Sequence, residues 1–276
     1  MTTKNKLFAL LMHLFLILGS CVMILPFIWM VLTSFKSVAE STAMNPFVIF
    51  PVTWRFENYL QAIQQSNFIR LYFNTFSMIV INVACALVFS SMAAYAFARL
   101  KFPGRDFCFG LVLFQMMIPT QIFIIPQYMM VDKLGARNTI FALIFPGLVS
   151  AFGTFLLRQF FKGIPAELEQ SAKIDGCNIG QTFLKIMLPL VRSGLVALSI
   201  FTALFSFKNL MWPLIVNSSN DAATLASALA KIQSAYSVNY PRLMAASVLA
   251  IWPMILIYVL FQKQFMQSVT TSGLTM

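Results

Sequence analysis

The sequence predicts an all-α, polytopic membrane protein with six transmembrane helices, and three observations predict it. The 276 residues are 59% hydrophobic and only 10% charged, with a mean hydropathy of +0.82, where a soluble domain carries roughly 25% charged residues. Residues 7–35, 71–98, 107–131, 138–157 and 243–262 are free of charge, and each reaches the length of about 20 residues that a spanning helix needs. A sixth run, 186–207, holds Arg192 near one end, where a long side chain reaches back to the interface.

The charge balance fits lipid rather than nucleic acid. A net charge of +11 sits in the loops between spans, as expected of cations flanking membrane helices. Cys21, Cys85, Cys108 and Cys177 have no metal-ligand spacing and no pattern of a disulfide framework. The first run is too long for a secretory h-region and lacks a small-residue cleavage site, so it is read as retained. Placing the N-terminus inside puts eleven of the 19 Lys and Arg in the cytoplasm, three of them within 99–105. Both termini and the loop 162–189 then face the cytoplasm.

Taken in order, the first span carries His13, whose bland reading is a hydrogen-bonded or interfacial imidazole, and Trp29, an interface anchor. An outer loop follows, with an amphipathic piece over 54–68 that lies on the membrane or against a partner's spans. The second span, 71–98, ends in closely spaced alanines that let helices approach. Its Asn74, Asn82, Ser90 and Ser91 either line a path or bond between helices. The third, 107–131, is broken by Pro119 and Pro126 among Gln115, Gln121 and Gln127. Freed carbonyls there either line a wet cavity or are sealed by neighbouring helices. Path candidates are therefore Asn82, Gln115, Gln121 and, after the fifth span, Asn209. The fourth span, within 138–157, contains Pro146 and Gly147. The second long outer loop, 217–240, exceeds a simple connection, which favours a contact. These elements group as an N-terminal helix with its outer loop (1–70), a five-helix core (71–262) and a C-terminal tail (263–276).

Residues 164–190 are the most densely charged and punctuated stretch. Pro165 suits a first helical turn, Glu167 and Glu169 sit at the favourable end of the dipole, and Glu169 is spaced to pair with Lys173. Gly176 stops this helix, and Asn178 with Gln181 reads as the cap of a second. Two short helices broken at a glycine between spans make a docking surface for a cytosolic partner. The chain has no phosphate-binding loop, no H-E-x-x-H and no G-x-S-x-G. Its eight acids all fall in loops or at span edges, away from where ion coupling needs them. The energy source is therefore expected outside the chain.

Gln170-Ser171-Ala172, Gly176, Ile186 and Leu188-Pro189 meet, without a gap, the spacing of the EAA loop of importer-type ABC transporter permeases. Gln170 and Ser171 stand where that pattern has Glu and Ala. The segments 26–36, 54–59, 95–105, Trp212-Pro213, 243–246 and 262–265 are also similar to the carbohydrate-uptake permeases. Among these the chain resembles the shorter, six-span member of the permease pair. The resemblance implies the importer permease fold and a role as half of the translocation path for a sugar, a di- or oligosaccharide. It implies a second, different permease, two cytosolic ATPase subunits that use ATP and Mg, and an extracytoplasmic solute-binding protein. This chain itself would bind no cofactor and would not be an enzyme. By the same resemblance Glu167, Leu168, Gln170, Ser171, Ala172, Asp175 and Gly176 couple to the ATPase, with Gly176 turning where a side chain would clash. Thr224, Leu225 and Ser227 would touch the binding protein. Alternatives are a permease for glycerol-3-phosphate or another sugar derivative, and a self-sufficient carrier.

Overall fold

The computed structural model describes residues 3–44, 47–235 and 239–273. Its described elements are helical, apart from an isolated antiparallel bridge between Met44 and Phe47. The chain divides into two compact units, one of residues 1–67 with 229–256 and the other of 68–228 with 257–276.

The first unit begins with α1 (Thr3–Ser34), a span of hydropathy 2.5 over Phe8–Ser34 that buries Thr33 and Ser34 only, at its end. His13 Nδ1 is satisfied by the Ala9 carbonyl of the same helix at 2.6 Å. Beyond α1 the chain ties a small knot. Lys36 is fully buried, donates Nζ to the Val48 carbonyl at 2.7 Å and lies 3.9 Å above the Trp29 ring. Trp29 in turn stacks on Phe47 with ring centroids 5.3 Å apart. The short helix α2 (Val38–Thr42) opens with a full capping box between Ser37 and Glu40. Phe35 packs against Trp54, Phe56 and Tyr59, and the Tyr59 hydroxyl meets Ser34 Oγ at 2.7 Å. The expected amphipathic piece appears as α3 (Glu57–Gln65), which buries Ala62. Asn45 and Pro46, part of the same outer loop, lie outside the described residues.

The second unit is built around α4 (Phe68–Arg99), the expected second span. It continues through α5 (Arg105–Met117), a 3-10 turn over Thr120–Phe123, α6 (Ile124–Lys133), α7 (Ile140–Ile144), a 3-10 turn over Phe145–Gly147 and α8 (Ala151–Lys162). Then come α9 (Glu167–Ile174), α10 (Ile179–Gln181), a π turn over Thr182–Met187, α11 (Leu188–Leu190), α12 (Arg192–Lys208) and α13 (Met211–Val216). The helix α14 (Leu225–Ala235) follows, and α15 (Tyr240–Gly273) runs on through 257 into this unit. Of the expected tail 263–276, residues 274–276 lie outside the described residues.

Three described helices are long and apolar enough to cross a membrane alone, over Phe8–Ser34, Phe68–Arg99 and Tyr240–Val259. The other three expected spans are each broken, and the breaks have local causes. Arg105–Met117 and Thr120–Lys133 meet at 99°. Ile118 is extended, as a residue before proline prefers, and Pro119 cannot continue the ladder. Pro126 does not break the chain as expected: it is third in α6, where its missing N–H has no intrahelical partner to lose. Ile140–Gly147 and Ala151–Lys162 meet at 47°, with Ser150 capping the second by accepting from Gly153 N–H at 2.9 Å. Ile179–Leu190 and Arg192–Lys208 meet at 76° about Val191. Pro189 denies the Lys185 carbonyl its usual donor, and the preceding turn widens to π.

Close approach of α8 and α12 to α4 makes the core. A Cβ on Gly153 would stand 2.6 Å from Ser90 Oγ, and one on Gly194 would stand 2.7 Å from the Phe160 ring. One apolar cluster gathers Met78, Val131, Leu143 and Val216 around Trp212, whose indole N–H donates to the Ala142 carbonyl at 2.7 Å. A second joins Tyr95, Leu157, Phe161, Met187, Val191 and Leu198.

Candidate coupling site

The helix α9 follows α8 after the short link 163–166. Its C-terminus is a Schellman cap: Cys177 N–H reaches the Ala172 carbonyl at 2.9 Å and Gly176 N–H reaches Lys173 at 3.1 Å. Gly176 holds φ at +80°, while a Cβ there would meet nothing within 4 Å. The expected clash is therefore absent, and what requires glycine is the left-handed backbone itself. Asn178 and Gln181 form the expected capping box, their reciprocal bonds measuring 2.8 and 2.9 Å. Pro165 precedes the helix, which starts at Glu167.

Arg99, the last residue of α4, holds this element in place. Its Nη2 donates to the carbonyls of Phe161, at 2.6 Å, and Ile164, so a cation sits at the C-terminal end of α8, where the helix dipole favours it. Its Nη1 lies 4.0 Å from Glu169 Oε2. The ion pair of Glu169 is thus with Arg99 on α4 rather than with Lys173 on its own helix. Arg99 Nε is buried without a hydrogen-bond partner, and the Tyr95 hydroxyl faces the Glu169 carboxylate. Behind them Tyr95 packs on Phe161 and Phe183 at centroid distances of 5.7 and 5.2 Å. This joins α4, α8 and the π turn through one aromatic contact.

The coupling candidates divide into two sets. Ala172 is 2% exposed and packs inward. Glu167, Leu168, Gln170, Ser171, Asp175 and Gly176 are exposed. Ile174, at 86% exposure, completes that outer face with Leu168, and nothing in the spacing argument had singled it out. Its signal was an apolar residue in an otherwise polar helix. Arg99 was also missed as a functional residue, although it lies within the 95–105 segment that carried part of the resemblance.

Elsewhere the candidates scatter. Asn82 is 6% exposed and donates to Ser206 Oγ at 3.2 Å. Asn74 donates to the Asp221 and Ala223 carbonyls, and Ser90 to that of Ser150. Of the two readings left open for these residues, bonding between elements is the one the geometry presents. Gln115 and Gln121 are exposed on either side of the Pro119 break, and Asn209 is half-buried at the end of α12. Thr224, Leu225 and Ser227 are 1%, 2% and 0% exposed, on the inner side of their loop. Thr224 N–H donates to Ser227 Oγ at 2.9 Å and Leu225 N–H to Thr75 Oγ1 at 3.0 Å. Among the described residues of this loop, Ser218, Asn220, Asp221, Gln233 and Tyr240 are exposed.

Residues 86–271 match the family model described as binding-protein-dependent transport system inner membrane component. The chain is 36% identical over 252 residues to the arabinooligosaccharides transport system permease protein AraQ of Halalkalibacterium halodurans, covering 91% of this chain and 90% of that one. It is 30% identical to the sn-glycerol-3-phosphate transport system permease protein UgpE of Rhizobium meliloti, covering 95% and 96%. The fold is that of a chain in the crystal structure of a bacterial ABC transporter involved in import of the acidic polysaccharide alginate. The TM-score is 0.79 at 24% identity, over 95% of this chain and 98% of that one.

Proposed function

From the membership of this chain in the family of binding-protein-dependent transport system inner membrane components, we propose that it forms half of the translocation path of a sugar importer, beside a second, different permease. It is a membrane-embedded permease subunit of an ABC transporter and not an enzyme. Each broken helix pair counts as one crossing, which gives six spans with both termini and α9 in the cytoplasm. Two ATPase subunits there bind and hydrolyse ATP with Mg, and this chain binds no cofactor. An extracytoplasmic solute-binding protein delivers the substrate. The outer loop would meet it through Ser218, Asn220 and Asp221, with Thr224, Leu225 and Ser227 setting the loop's shape from within.

The observation that carries the coupling role is the split of α9. Ala172 anchors the helix to its own protein, while Leu168 and Ile174, 40% and 86% exposed, face outward beside Ser171 and Gln170. Small and apolar side chains at helical spacing let a partner's groove approach closely. The exposed carboxamide of Gln170 keeps hydrogen bonding without a charge.

The substrate class proposed is a neutral di- or oligosaccharide, as the name of the arabinooligosaccharide relative suggests. The glycerol-3-phosphate relative makes an anionic substrate the second reading. An anion would need cations along the path, and the charge-free spans offer none away from their ends. The test is uptake by proteoliposomes holding the complete complex, assayed with labelled arabinooligosaccharides and with labelled glycerol-3-phosphate. ATP-dependent accumulation of the oligosaccharide is expected. Accumulation of glycerol-3-phosphate alone would replace the substrate class, and uptake by this chain without ATPase subunits would overturn the assignment.

A further inference from the structure

The ends of α4, α5 and α8 bring three cations to one place that no role described above uses. Arg158, one turn before the end of α8, is 8% exposed. Its guanidinium lies 3.8 Å above the Phe109 ring of α5, and its Nε donates to the Phe97 carbonyl of α4 at 3.2 Å. Phe97 itself packs on Phe102 and Phe109, with ring centroids 6.0 and 5.6 Å away. An aromatic floor and one carbonyl thus hold the arginine plane in a single orientation. Its two terminal nitrogens have no hydrogen-bond partner among the described residues, and neither is sealed from the surface.

What surrounds that free edge is mostly positive. Asp106, in the first turn of α5, lies in the fields of Arg105, Arg158 and Lys162, and it pairs with Arg105 at 3.0 Å. Lys162, the last residue of α8, is exposed. Three cations against one carboxylate leave an excess of two positive charges. The helix α5 opens here from Gly104 without a side-chain cap, so its first N–H groups add to the positive potential. From the same end an apolar stripe runs along α5: Phe107, Leu111 and Phe114 are all exposed and spaced as one helical face.

Each half of a phospholipid has a counterpart here. A guanidinium with a free edge takes phosphate oxygens in a fork, and a lysine beside it adds a point charge. The stripe is a bed for an acyl chain, which a free phosphate would leave bare. We propose that Arg158, Arg105 and Lys162 seat the headgroup of an anionic phospholipid whose acyl chain lies along Phe107, Leu111 and Phe114. Asp106 sets the strength of the seat, since its carboxylate stands among the groups that hold the phosphate and opposes it. The seat requires only that the chain is embedded in a membrane, and it is independent of the coupling role of α9.

The experiment uses the assembled transporter in nanodiscs of phosphatidylcholine holding a minority of phosphatidylglycerol with a photoactivatable acyl chain. Phosphatidylcholine carrying the same label is the comparison, and mass spectrometry reads the tagged fraction of the stretch 105–117 after illumination. Phosphatidylglycerol is expected to tag it about tenfold more than phosphatidylcholine, as two excess cations at a lipid surface allow. Arg158→Gln and Lys162→Gln should each cut that preference about fivefold, and Asp106→Asn should raise it by a similar factor. Lys133→Gln, an exposed cation at the far end of the same broken pair, should leave it unchanged. Excess inorganic phosphate at constant ionic strength should not displace the lipid. Equal tagging by the two lipids, a preference in Asp106→Asn no higher than in wild type, an equal loss in Lys133→Gln, or displacement by phosphate would each overturn the proposal. Tagging of the separated chain that vanishes in the complex would also overturn it, by giving the patch to a partner subunit. If Arg158→Gln fails to assemble, the exposed positions Lys162 and Asp106 decide alone.

Discussion

Gly153 of α8 lies so near Ser90 of α4 that a methyl group on it would stand 2.6 Å from the Ser90 hydroxyl, with Leu198 of α12 at 2.9 Å. Three helices of the second unit meet at a point where one of them has no side chain. This is how small residues serve helix association in lipid, by letting backbones close up for dispersion contact.

Gly153→Ala should therefore destabilise the packed helices by about 1–3 kcal/mol, as overpacking does. Ser90→Ala removes the nearest atom, and in the double variant part of that loss should return. Thermal unfolding of the purified chain in detergent measures both. Strict additivity of the two changes would show that the contact is not where the cost arises.

Gly176→Val addresses the cap of α9. The site is open, so any effect comes from the backbone, where a left-handed conformation costs an ordinary residue about 1–2 kcal/mol and a β-branched one more. The Schellman bonds at Lys173 and Ala172 should open, seen as faster amide exchange at Gly176 and Cys177, while the exchange of α4 stays unchanged. ATP-driven uptake should fall with it. A variant with wild-type protection at those two amides would remove the backbone argument.

The outer loop gives a third expectation. Asn74 is 4% exposed and its carboxamide donates at 2.8 and 2.9 Å to the Asp221 and Ala223 carbonyls. Asn74→Leu leaves both carbonyls short of a donor, at a cost of about 1–3 kcal/mol. Amide exchange over 217–225 should accelerate, and affinity for the solute-binding protein should drop if this loop forms part of its seat. Unchanged exchange would mean the loop is held elsewhere, by Asn217 and Thr75.

The sequence made some of this legible and hid the rest for physical reasons. Hydropathy located α1, α4 and the apolar part of α15, since each is one uninterrupted helix. Both Pro119 and Pro126 were read as breaks and only Pro119 makes the 99° bend, because a proline is tolerated in a first turn and disruptive elsewhere. The caps at Gly176 and Asn178 were readable because capping is local. Glu169 was assigned to Lys173 by helical spacing, yet it faces Arg99, which is 70 positions away in the chain; no local rule reaches that far. Thr224, Leu225 and Ser227 were placed at the binding-protein contact by resemblance, while in the fold their polar groups are spent on one another and on Thr75.

The last prediction concerns pH and the knot after α1. Glu40 accepts from Ser37 N–H at 2.6 Å and from Val52 N–H at 3.1 Å, and the Ser37 backbone bond chiefly holds its carboxyl below the ordinary value of 4.5. Burial lowers the pKa of the neighbouring Lys36 ammonium, and the charge of Glu40 acts to raise it. For a carboxyl with a depressed folded-state pKa the stabilisation is complete above the unfolded value. It is lost as pH falls through the folded one. Wild type should therefore lose stability in the first unit as pH drops below about 4.5, and the loss should be larger than in Glu40→Gln, which has no charge to lose at that site. Thermal unfolding of the two chains across that range is the measurement. Parallel pH profiles would show that the Ser37 and Val52 bonds do not distinguish the charged carboxylate from its amide.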